Sequence, residues 1–218
     1  MAKRIFLVHP YFPTMAPIDA AFRKGWPEAQ VINLLDESLY ADVPADGTLA
    51  PSLFARVATL LHHCEQSGAN GIIFTGTTFG PAIDAARRQL KVPVLRAEEA
   101  MAEEAVLRGE RILLACTARR AMPIVRGSLE AAAARCSRAC RISELWVTGA
   151  KEAIVDGAME THDRLIASEI AAAGDFDVIV LGQISMVPAR AYLSAAAASR
   201  VIASPDAAVM RLRALVGG

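Results

Sequence analysis

The amino-acid sequence predicts an α/β protein with two similar halves, each a parallel sheet flanked by helices. Two observations lead to this fold class. Short apolar runs rich in β-branched residues alternate with longer helical patterns along the whole chain. In addition, a shift of the 218-residue chain by 107 positions aligns strand-and-turn segments of the first half with segments of the second.

Eight short apolar runs have the character of buried strands. Each lies between turn residues and helical segments, and each is too short to form a helix. We expect strands at Arg4–His9, Gln30–Leu34, Gly71–Thr75, Val92–Leu95, Arg111–Cys116, Ile142–Val147, Val178–Leu181 and Arg200–Ala203.

Helical periodicity fills the segments between these strands. It is clearest in Pro51–Ser67, where Leu53, Val57, Leu61 and Cys64 recur at spacings of three and four residues. Several of the expected helices begin with proline, whose missing N–H has no cost in the first turn. The other predicted helices are Pro81–Leu90, Glu98–Leu107, Pro123–Ala134, Met159–Ala173, Pro188–Ala198 and Pro205–Leu215.

The repeat supports a division into residues 1–108 and 109–218, with a C-terminal helix that is able to pack on the first half. One shift places RIFLVHP, from Arg4, on RILLACT, from Arg111. The same shift places IIFTGTTFGPA, from Ile72, on IVLGQISMVPA, from Ile179. The alternative is that any two βα units resemble each other, but chance matches would need different shifts.

Composition excludes several classes of partner. The chain is 54% hydrophobic with a mean hydropathy of +0.33, and it has 23 basic and 23 acidic residues. Without a basic excess, nucleic acid and anionic membranes are not expected partners. The apolar run before His9 is too short for a signal peptide, and no run is long enough to span a membrane, so we expect a cytoplasmic protein.

The cysteines and glycines do not indicate a metal or a nucleotide. The four cysteines contain no CxxC pair, and the closest two, Cys136 and Cys140, have no companion histidine pair. Neither GxGxxG nor GxxxxGK[ST] occurs. We therefore expect free thiols, no metal and no cofactor.

Ligands of parallel sheets bind at the carboxyl ends of the strands, so four turns are of interest. These turns follow His9, Thr75, Cys116 and Gly182. If the halves face each other about a pseudo-twofold axis, the turns after Thr75 and Gly182 would lie across one cleft.

Two of these turns carry groups that donate hydrogen bonds. Gly76, Thr77 and Thr78 offer backbone N–H groups and two hydroxyls ahead of a helix, and Gln183 and Ser185 offer an amide and a hydroxyl. Such turns suit a small carboxylate. The alternative is that the threonines only cap the helix that follows.

Several segments together resemble the Asp/Glu/hydantoin racemase superfamily from Lys3 to about Pro205. They are VINLLDESLYADV, GANGIIFTGTTFGPAIDAARRQLKVPVLRAEEAMAEEAV, GERILLACT and FDVIVLGQISM. The resemblance implies two flavodoxin-like halves with the substrate between them. It also implies cofactor-independent chemistry at the carbon next to a carboxylate.

The resemblance also exposes a departure. In the family, a cysteine follows the third strand of each half, and the two thiols exchange a proton with opposite faces of the substrate. The matching positions here are Gly76 and Gln183. Loss of a general base typically lowers the rate about a hundredfold to ten-thousandfold. A glycine at the first position, followed by hydroxyl donors, resembles the arylmalonate decarboxylase branch.

If catalysis persists, the acid or base must come from another turn. Cys116 and His9 end equivalent strands, and a thiol and an imidazole can activate each other, although Cys116 could also pack as a small hydrophobic residue. The HPYFPTMAP segment is expected to be a loop over the cleft. The candidate catalytic positions are Gly76, Gln183, Cys116 and His9. The candidate substrate-binding residues are Thr14, Pro17, Thr77, Thr78, Thr117, Ile184 and Ser185, with Met15 and Asp36 nearby.

Two hypotheses follow. The first is a cofactor-independent enzyme, racemase-like or decarboxylase-like, that acts on a small amino acid or carboxylic acid. The second is a binding protein that keeps the carboxylate site without the proton-transfer pair. A homo-oligomer is expected in either case.

Overall fold

The computed structural model describes residues 2–217 and shows an α/β fold with two parallel four-stranded sheets. The first sheet has the order β2-β1-β3-β4, and the second has the order β6-β5-β7-β8. The strands are β1 (Arg4–His9), β2 (Gln30–Leu35), β3 (Gly71–Phe74), β4 (Val94–Arg96), β5 (Arg111–Cys116), β6 (Arg141–Trp146), β7 (Val178–Leu181) and β8 (Val201–Ala203). The predicted fold class and its eight strands are confirmed.

The two sheets repeat the same register, as the sequence repeat predicts. Ile5 pairs with Gly71 between β1 and β3, and Ile112 pairs with Val178 between β5 and β7. Both members of the second pair lie 107 positions after those of the first. The short all-buried strands β3 and β7 are central in their sheets, which explains their continuous apolar sequences.

Helices cover the sheets. They are α1 (Met15–Gly25), α2 (Ser38–Ala41), α3 (Pro51–Gln66), α4 (Gly80–Ala86), α5 (Ala97–Arg108), α6 (Ala121–Arg135), α7 (Ala150–Val155), α8 (Met159–Ala172), α9 (Ala195–Ala198) and α10 (Ser204–Leu215). Turns of 3-10 helix occupy Phe12–Thr14, Thr77–Phe79, Arg87–Gln89 and Ile184–Tyr192.

The structure differs from the predicted helices and loops in three places. The HPYFPTMAP segment is not an open loop, because a 3-10 turn leads directly into α1 and Pro17 lies in the first turn of that helix. The helix expected at Pro188–Ala198 is wrong: Pro188 lies inside the 3-10 segment, and only Ala195–Ala198 is α-helical. The short helices α2 and α7 were not predicted, because each is too brief to show a period.

Contacts divide the chain into two compact units. The first contains the residues up to Ala97 together with the segment from Pro205 onward, and the second is Glu98–Ser204. Helix α10 packs on the first sheet, since a Cβ on Gly71 would lie 2.9 Å from Leu212 Cδ1. The contacts group α5 with the second unit, whereas the division at residue 108 grouped it with the first.

Each unit has its own hydrophobic core. The first core includes Phe74 and Phe79 beside the apolar face of α3, and the second includes Ile166 and Met186 beside β7. Within the described residues, no helix combines the length and the apolar character that a membrane span requires.

Candidate functional site

In the first unit, the turn after β3 presents unused hydrogen-bond donors. The first hydrogen bond of its 3-10 turn runs from Phe79 N to Gly76 O at 3.1 Å. The N–H groups of Thr77 and Thr78 come before it in the chain and therefore have no acceptor within the turn. The Thr77 and Thr78 side chains are half-buried, and neither hydroxyl has a partner among residues 2–217. Neither threonine caps α4, whose N-cap residue is Phe79 and has no side-chain hydrogen bond. Four donors are therefore available at this turn.

Gly76 is fixed by packing. A Cβ added there would lie 2.5 Å from Pro10 Cγ and 3.0 Å from the Phe79 ring. Real Cβ atoms do not approach other atoms so closely, and a proline ring cannot rotate away. A cysteine at this position would therefore require the turn after β1 to move.

In the second unit, Gln183 is anchored by its carbonyl oxygen. Gln183 Oε1 accepts hydrogen bonds from Thr117 N at 2.7 Å, Ala118 N at 3.2 Å and Thr117 Oγ1 at 3.2 Å. These donors fix which end of the amide is oxygen. Because the amide oxygen is occupied, only the Gln183 NH2 group remains to bind a ligand, and it can only donate hydrogen bonds.

His9 is fully buried at the end of β1, and both of its ring nitrogens have partners. Nε2 lies 2.9 Å from Asn33 Oδ1, while the Asn33 NH2 group donates to Asp19 at 3.3 Å. Nδ1 lies 2.9 Å from the Thr14 hydroxyl and 3.0 Å from the Thr75 hydroxyl. Because Asn33 donates to Asp19, His9 Nε2 carries the proton and Nδ1 accepts.

Burial lowers the pKa of His9 below its ordinary value of 6.5, although the hydrogen bond to Asn33 and the charge of Asp19 act in the opposite direction. The imidazole is therefore held neutral. Its two nitrogens connect β1 to β2, to Thr75 directly after β3 and to the 3-10 turn at Phe12–Thr14. This arrangement leaves no free nitrogen for a ligand.

Cys116 ends β5 at the position equivalent to His9 and is also fully buried. Burial raises the pKa of the Cys116 thiol to about 12, and the charge of Glu144 adds to the increase. A Cβ on Gly182 would overlap Cys116 Sγ, so the sulfur fills the space beside that glycine. A buried thiol that stays protonated is neither a nucleophile nor a base near neutral pH.

The other candidate residues are placed as follows. Thr14 and Thr117 are buried and bind His9 and Gln183, and Ile184 and Ser185 are buried at the start of their 3-10 segment. Met15 and Pro17 lie in α1. Asp36 binds Arg56 at 3.0 Å; partial burial raises the pKa of Asp36, but hydrogen bonds from Ser38 and Arg56 outweigh this and leave the pKa below its usual range.

Sequence reasoning missed several buried polar residues. Asn33 and Thr75 complete the His9 network, and the only signal for Asn33 was a single amide inside the apolar run QVINLL. His162 in α8 is fully buried, with Nδ1 2.8 Å from Asp163 Oδ1. Nowhere in residues 2–217 do three metal-ligating side chains cluster.

Each unit thus has hydrogen-bond donors at the carboxyl edge of a parallel sheet, where open α/β proteins bind their ligands. The sequence profile of the Asp/Glu/hydantoin racemase family matches residues 15–212. The chain belongs to that family. No significant match was found among curated protein sequences.

Solved structures show the same fold. An aspartate racemase homologue from Pyrococcus horikoshii superimposes with a TM-score of 0.69 at 15% identity, covering 99% of this chain and 100% of that one. Allantoin racemase from Klebsiella pneumoniae gives 0.72 at 19% identity, with coverage of 99% and 88%. A glycine-to-cysteine mutant of arylmalonate decarboxylase in its sulfate-associated form gives 0.63 at 19% identity, with coverage of 99% and 94%.

Proposed function

We propose that this protein is a cofactor-independent enzyme that acts at the carbon next to the carboxylate of a small carboxylic or amino acid. Membership of the racemase family and structural similarity to racemases and a decarboxylase support this class of reaction. The observation that carries the proposal is the anchored amide of Gln183, whose oxygen is held by Thr117 and Ala118.

The available groups suit the stabilisation of negative charge. Among residues 2–217, the amide hydrogens of Gln183 in the second unit have no acceptor, and neither do the hydroxyls of Thr77 and Thr78 in the first. A preorganised donor aimed at a developing oxyanion is worth about 3 to 4 kcal/mol of barrier, because it needs no reorientation during the reaction. A carboxylate that becomes an enediolate develops charge of this kind.

The missing bases favour a decarboxylase-like reaction over racemisation. Racemisation needs a base that removes the α-proton, yet His9 has no free nitrogen and the Cys116 thiol stays protonated. In decarboxylation, the bond between the α-carbon and one carboxyl group breaks, carbon dioxide leaves, and the electron pair enters the remaining carboxylate as an enediolate. Water then protonates the α-carbon, so no side-chain base is required.

A second candidate is a carboxylate-binding protein without catalytic activity. The absence of thiols at Gly76 and Gln183, together with the Pro10 ring in the space of a residue 76 side chain, favours this candidate. Both candidates use the same donors and differ only in turnover. A homo-oligomeric assembly and a cytoplasmic location remain predictions in either case.

Incubation with amino acids and substituted malonates in deuterated water separates the candidates. The enzyme would release carbon dioxide and incorporate deuterium at the α-carbon, whereas the binding protein would show only thermal stabilisation by ligands. Racemisation would appear as α-deuteration without loss of carbon dioxide.

The matched variant for this experiment is Gln183→Glu. Its side chain has the same shape and keeps an oxygen for Thr117 and Ala118, but it replaces the free NH2 group by a carboxylate oxygen. We expect activity or binding to fall at least tenfold, since a charge-assisted donor is lost and a like charge is introduced. Unchanged activity and binding in this variant would exclude Gln183 from the site.

A further inference from the structure

One arginine in the first unit binds both ends of a short helix at the carboxyl edge of the sheet. Arg56, in α3, places Nη2 3.0 Å from Asp36 Oδ2 in the turn after β2. Its Nη1 lies 2.5 Å from Asp42 Oδ2, directly after α2. Arg56 also donates to the hydroxyl of Ser38, the first residue of α2. We call Arg56, Asp36 and Asp42 the clamp, because they hold α2 from both sides.

The position of α2 depends on the clamp. A helix of four residues is too short to be stable alone, so contacts with the rest of the protein must hold it. The buried Leu39 side chain anchors α2 in the core of the first unit, but one side chain does not fix the orientation of a helix. A planar guanidinium that bridges two carboxylates does fix it, since its N–H groups have set directions. Exposed ion pairs contribute little to stability, so the clamp affects the position of α2 more than the stability of the fold.

Helix α2 carries Tyr40, whose ring packs against the turn that follows β3. The ring centroids of Tyr40 and Phe79 are 5.2 Å apart, at an angle of 60°. Phe79 is fully buried and directly follows Thr77 and Thr78, and its N–H binds Gly76 O at 3.1 Å. A continuous set of contacts therefore leads from the clamp, through Tyr40 and Phe79, to the turn that presents the two threonine hydroxyls.

The same helix also contacts the turn after β1. Glu37, the N-cap residue of α2, accepts a hydrogen bond from Phe12 N at 3.2 Å. The Tyr40 ring meets the Tyr11 ring edge to face, with centroids 6.3 Å apart. Strands β1 and β3 are neighbours in the sheet, so α2 touches two adjacent turns at once. A shift of α2 would disturb both turns.

We propose that Arg56 is a positioning residue, which acts through α2 to hold the Thr77 and Thr78 hydroxyls in place for a ligand. The proposal rests on the proposed function of these hydroxyls as donors to a carboxylate. The Arg56 guanidinium is occupied by Asp36 and Asp42, so it acts through these contacts and not on the ligand itself. A donor that is already ordered binds without an ordering cost, so release of α2 should weaken binding.

Calorimetric titration with methylmalonate as the probe tests this role. The variant Arg56→Gln should bind methylmalonate about tenfold more weakly than the wild type, because binding must then also order the turn. Arg126→Gln is the matched control. Arg126, on α6 in the second unit, likewise bridges two carboxylates, with 2.9 Å to Glu130 and 2.9 Å to Glu144. Both variants remove one positive charge, and Arg126→Gln should keep the wild-type affinity.

Two outcomes of this titration would overturn the positioning role and leave the proposed function in place. One is equal weakening in Arg56→Gln and Arg126→Gln, which would show a general effect of charge on an anionic ligand. The other is unchanged affinity in Arg56→Gln. Failure of the wild-type protein to bind methylmalonate would instead overturn the proposed carboxylate site and the positioning role together.

The variant Asp42→Ala separates position from charge by sign. It makes the protein more positive, which by itself would strengthen the binding of an anion. The loss of one of the two carboxylates of the clamp should weaken binding instead, by about threefold, because the contact with Asp36 remains. Unchanged or tighter binding of methylmalonate in Asp42→Ala would overturn the proposal.

A double-mutant cycle tests the route through Tyr40. The variant Tyr40→Leu keeps an apolar side chain on α2 but removes the ring that packs on Phe79. In this background Arg56→Gln should weaken binding further by less than about twofold, since the contact through which it acts is already lost. Additive losses of affinity would overturn the proposed route.

Thermal unfolding distinguishes positioning from a purely structural role. Arg56→Gln and Arg126→Gln should lower the Tm by similar small amounts, because each removes partly exposed ion pairs. Binding is compared at a temperature at which all variants are folded. A much larger fall in Tm for Arg56→Gln would assign its weaker binding to loss of the fold and would overturn the positioning role.

Discussion

The turns at the strand ends occupy equivalent backbone positions in the two units, but they carry side chains of different chemistry. In the first unit, the buried His9 imidazole binds the hydroxyl of Thr75 at 3.0 Å. At the equivalent positions of the second unit, Cys116 sulfur occupies the space beside Gly182. The two side chains of each pair lie side by side and must fit the space between their strands together. The large polar His9 is therefore paired with a hydroxyl residue, Thr75, and the sulfur of Cys116 is paired with Gly182. The residues of a pair must therefore change together.

The next pair of positions follows the same rule. In the first unit the Pro10 ring fills the space that a side chain on Gly76 would need. In the second unit Thr117 leaves room for Gln183, and its N–H, which Pro10 lacks, binds the amide oxygen. Gly76 and Gln183, the positions that the sequence resemblance matches to the family's two cysteines, thus have different surroundings, and the residue at each depends on a neighbour in another turn.

The largest effect is expected for Gly182→Ala. Its Cβ would overlap Cys116 Sγ and lie 3.0 Å from the Ala115 carbonyl oxygen. We expect a loss of about 3 kcal/mol in the free energy of unfolding, measured with urea, because overpacking of a rigid core costs this much. In a Cys116→Ala background the loss should shrink to about half, since only the clash with the carbonyl oxygen remains. Equal losses in both backgrounds would show that the pair does not share one volume.

A smaller loss is expected for Gly76→Ala, which places its Cβ against Pro10 and Phe79. About 2 kcal/mol should be lost in the same unfolding measurement. The variant Pro10→Ala should relieve most of this loss.

A related prediction concerns the thiols. Introducing them by Gly76→Cys and Gln183→Cys should give α-proton exchange only when Pro10→Ala is also present. Exchange of the α-proton in the double variant without Pro10→Ala would show that the turn after β1 moves aside at little energetic cost.

The sequence predicted the two sheets, because these depend on the pattern of apolar residues along the chain. The apolar runs of β3 and β7 and the 107-residue shift indicated both sheets, because strand pairing requires little more than short apolar runs and suitable turns. Helix α1 was missed because Pro13 and Pro17 suggest a loop, although proline is tolerated in a first helical turn.

The site was predicted only in part, for a physical reason. His9 and Cys116 were correctly placed at strand ends, but their burial depends on residues from other strands and turns, such as Asn33, Thr75 and Gly182. A single sequence does not show which side chains share a volume. The sequence therefore indicated the hydrogen-bond donors in the turns. It did not indicate the neighbouring residues that prevent His9 and Cys116 from acting as an acid or a base.

The His9 network predicts a dependence of stability on pH. The pKa of His9 is lowered in the folded protein, so the unfolded chain binds more protons than the folded one below the ordinary value of 6.5. Stability from this residue is present above pH 6.5 and is lost as pH falls towards the folded pKa, with a slope of at most about 1.4 kcal/mol per pH unit. The variant His9→Gln should flatten this slope in urea unfolding, whereas His63→Gln, on the exposed face of α3, should not. An unchanged slope in His9→Gln would assign the loss to other groups.

The smallest effects distinguish an anchor from a ligand donor. Thr117→Val removes the hydroxyl that donates to Gln183 Oε1 at 3.2 Å but keeps the two N–H bonds and the side-chain volume. It should cost about 0.5 to 1 kcal/mol of stability and change the affinity for a small carboxylate by less than twofold. Thr78→Val should do the reverse, because its half-exposed hydroxyl has no internal partner: stability stays the same and carboxylate binding weakens. If both variants weakened binding equally, the hydroxyl of Thr117 would contact the ligand itself, and Gln183 would have to leave its anchor when the ligand binds.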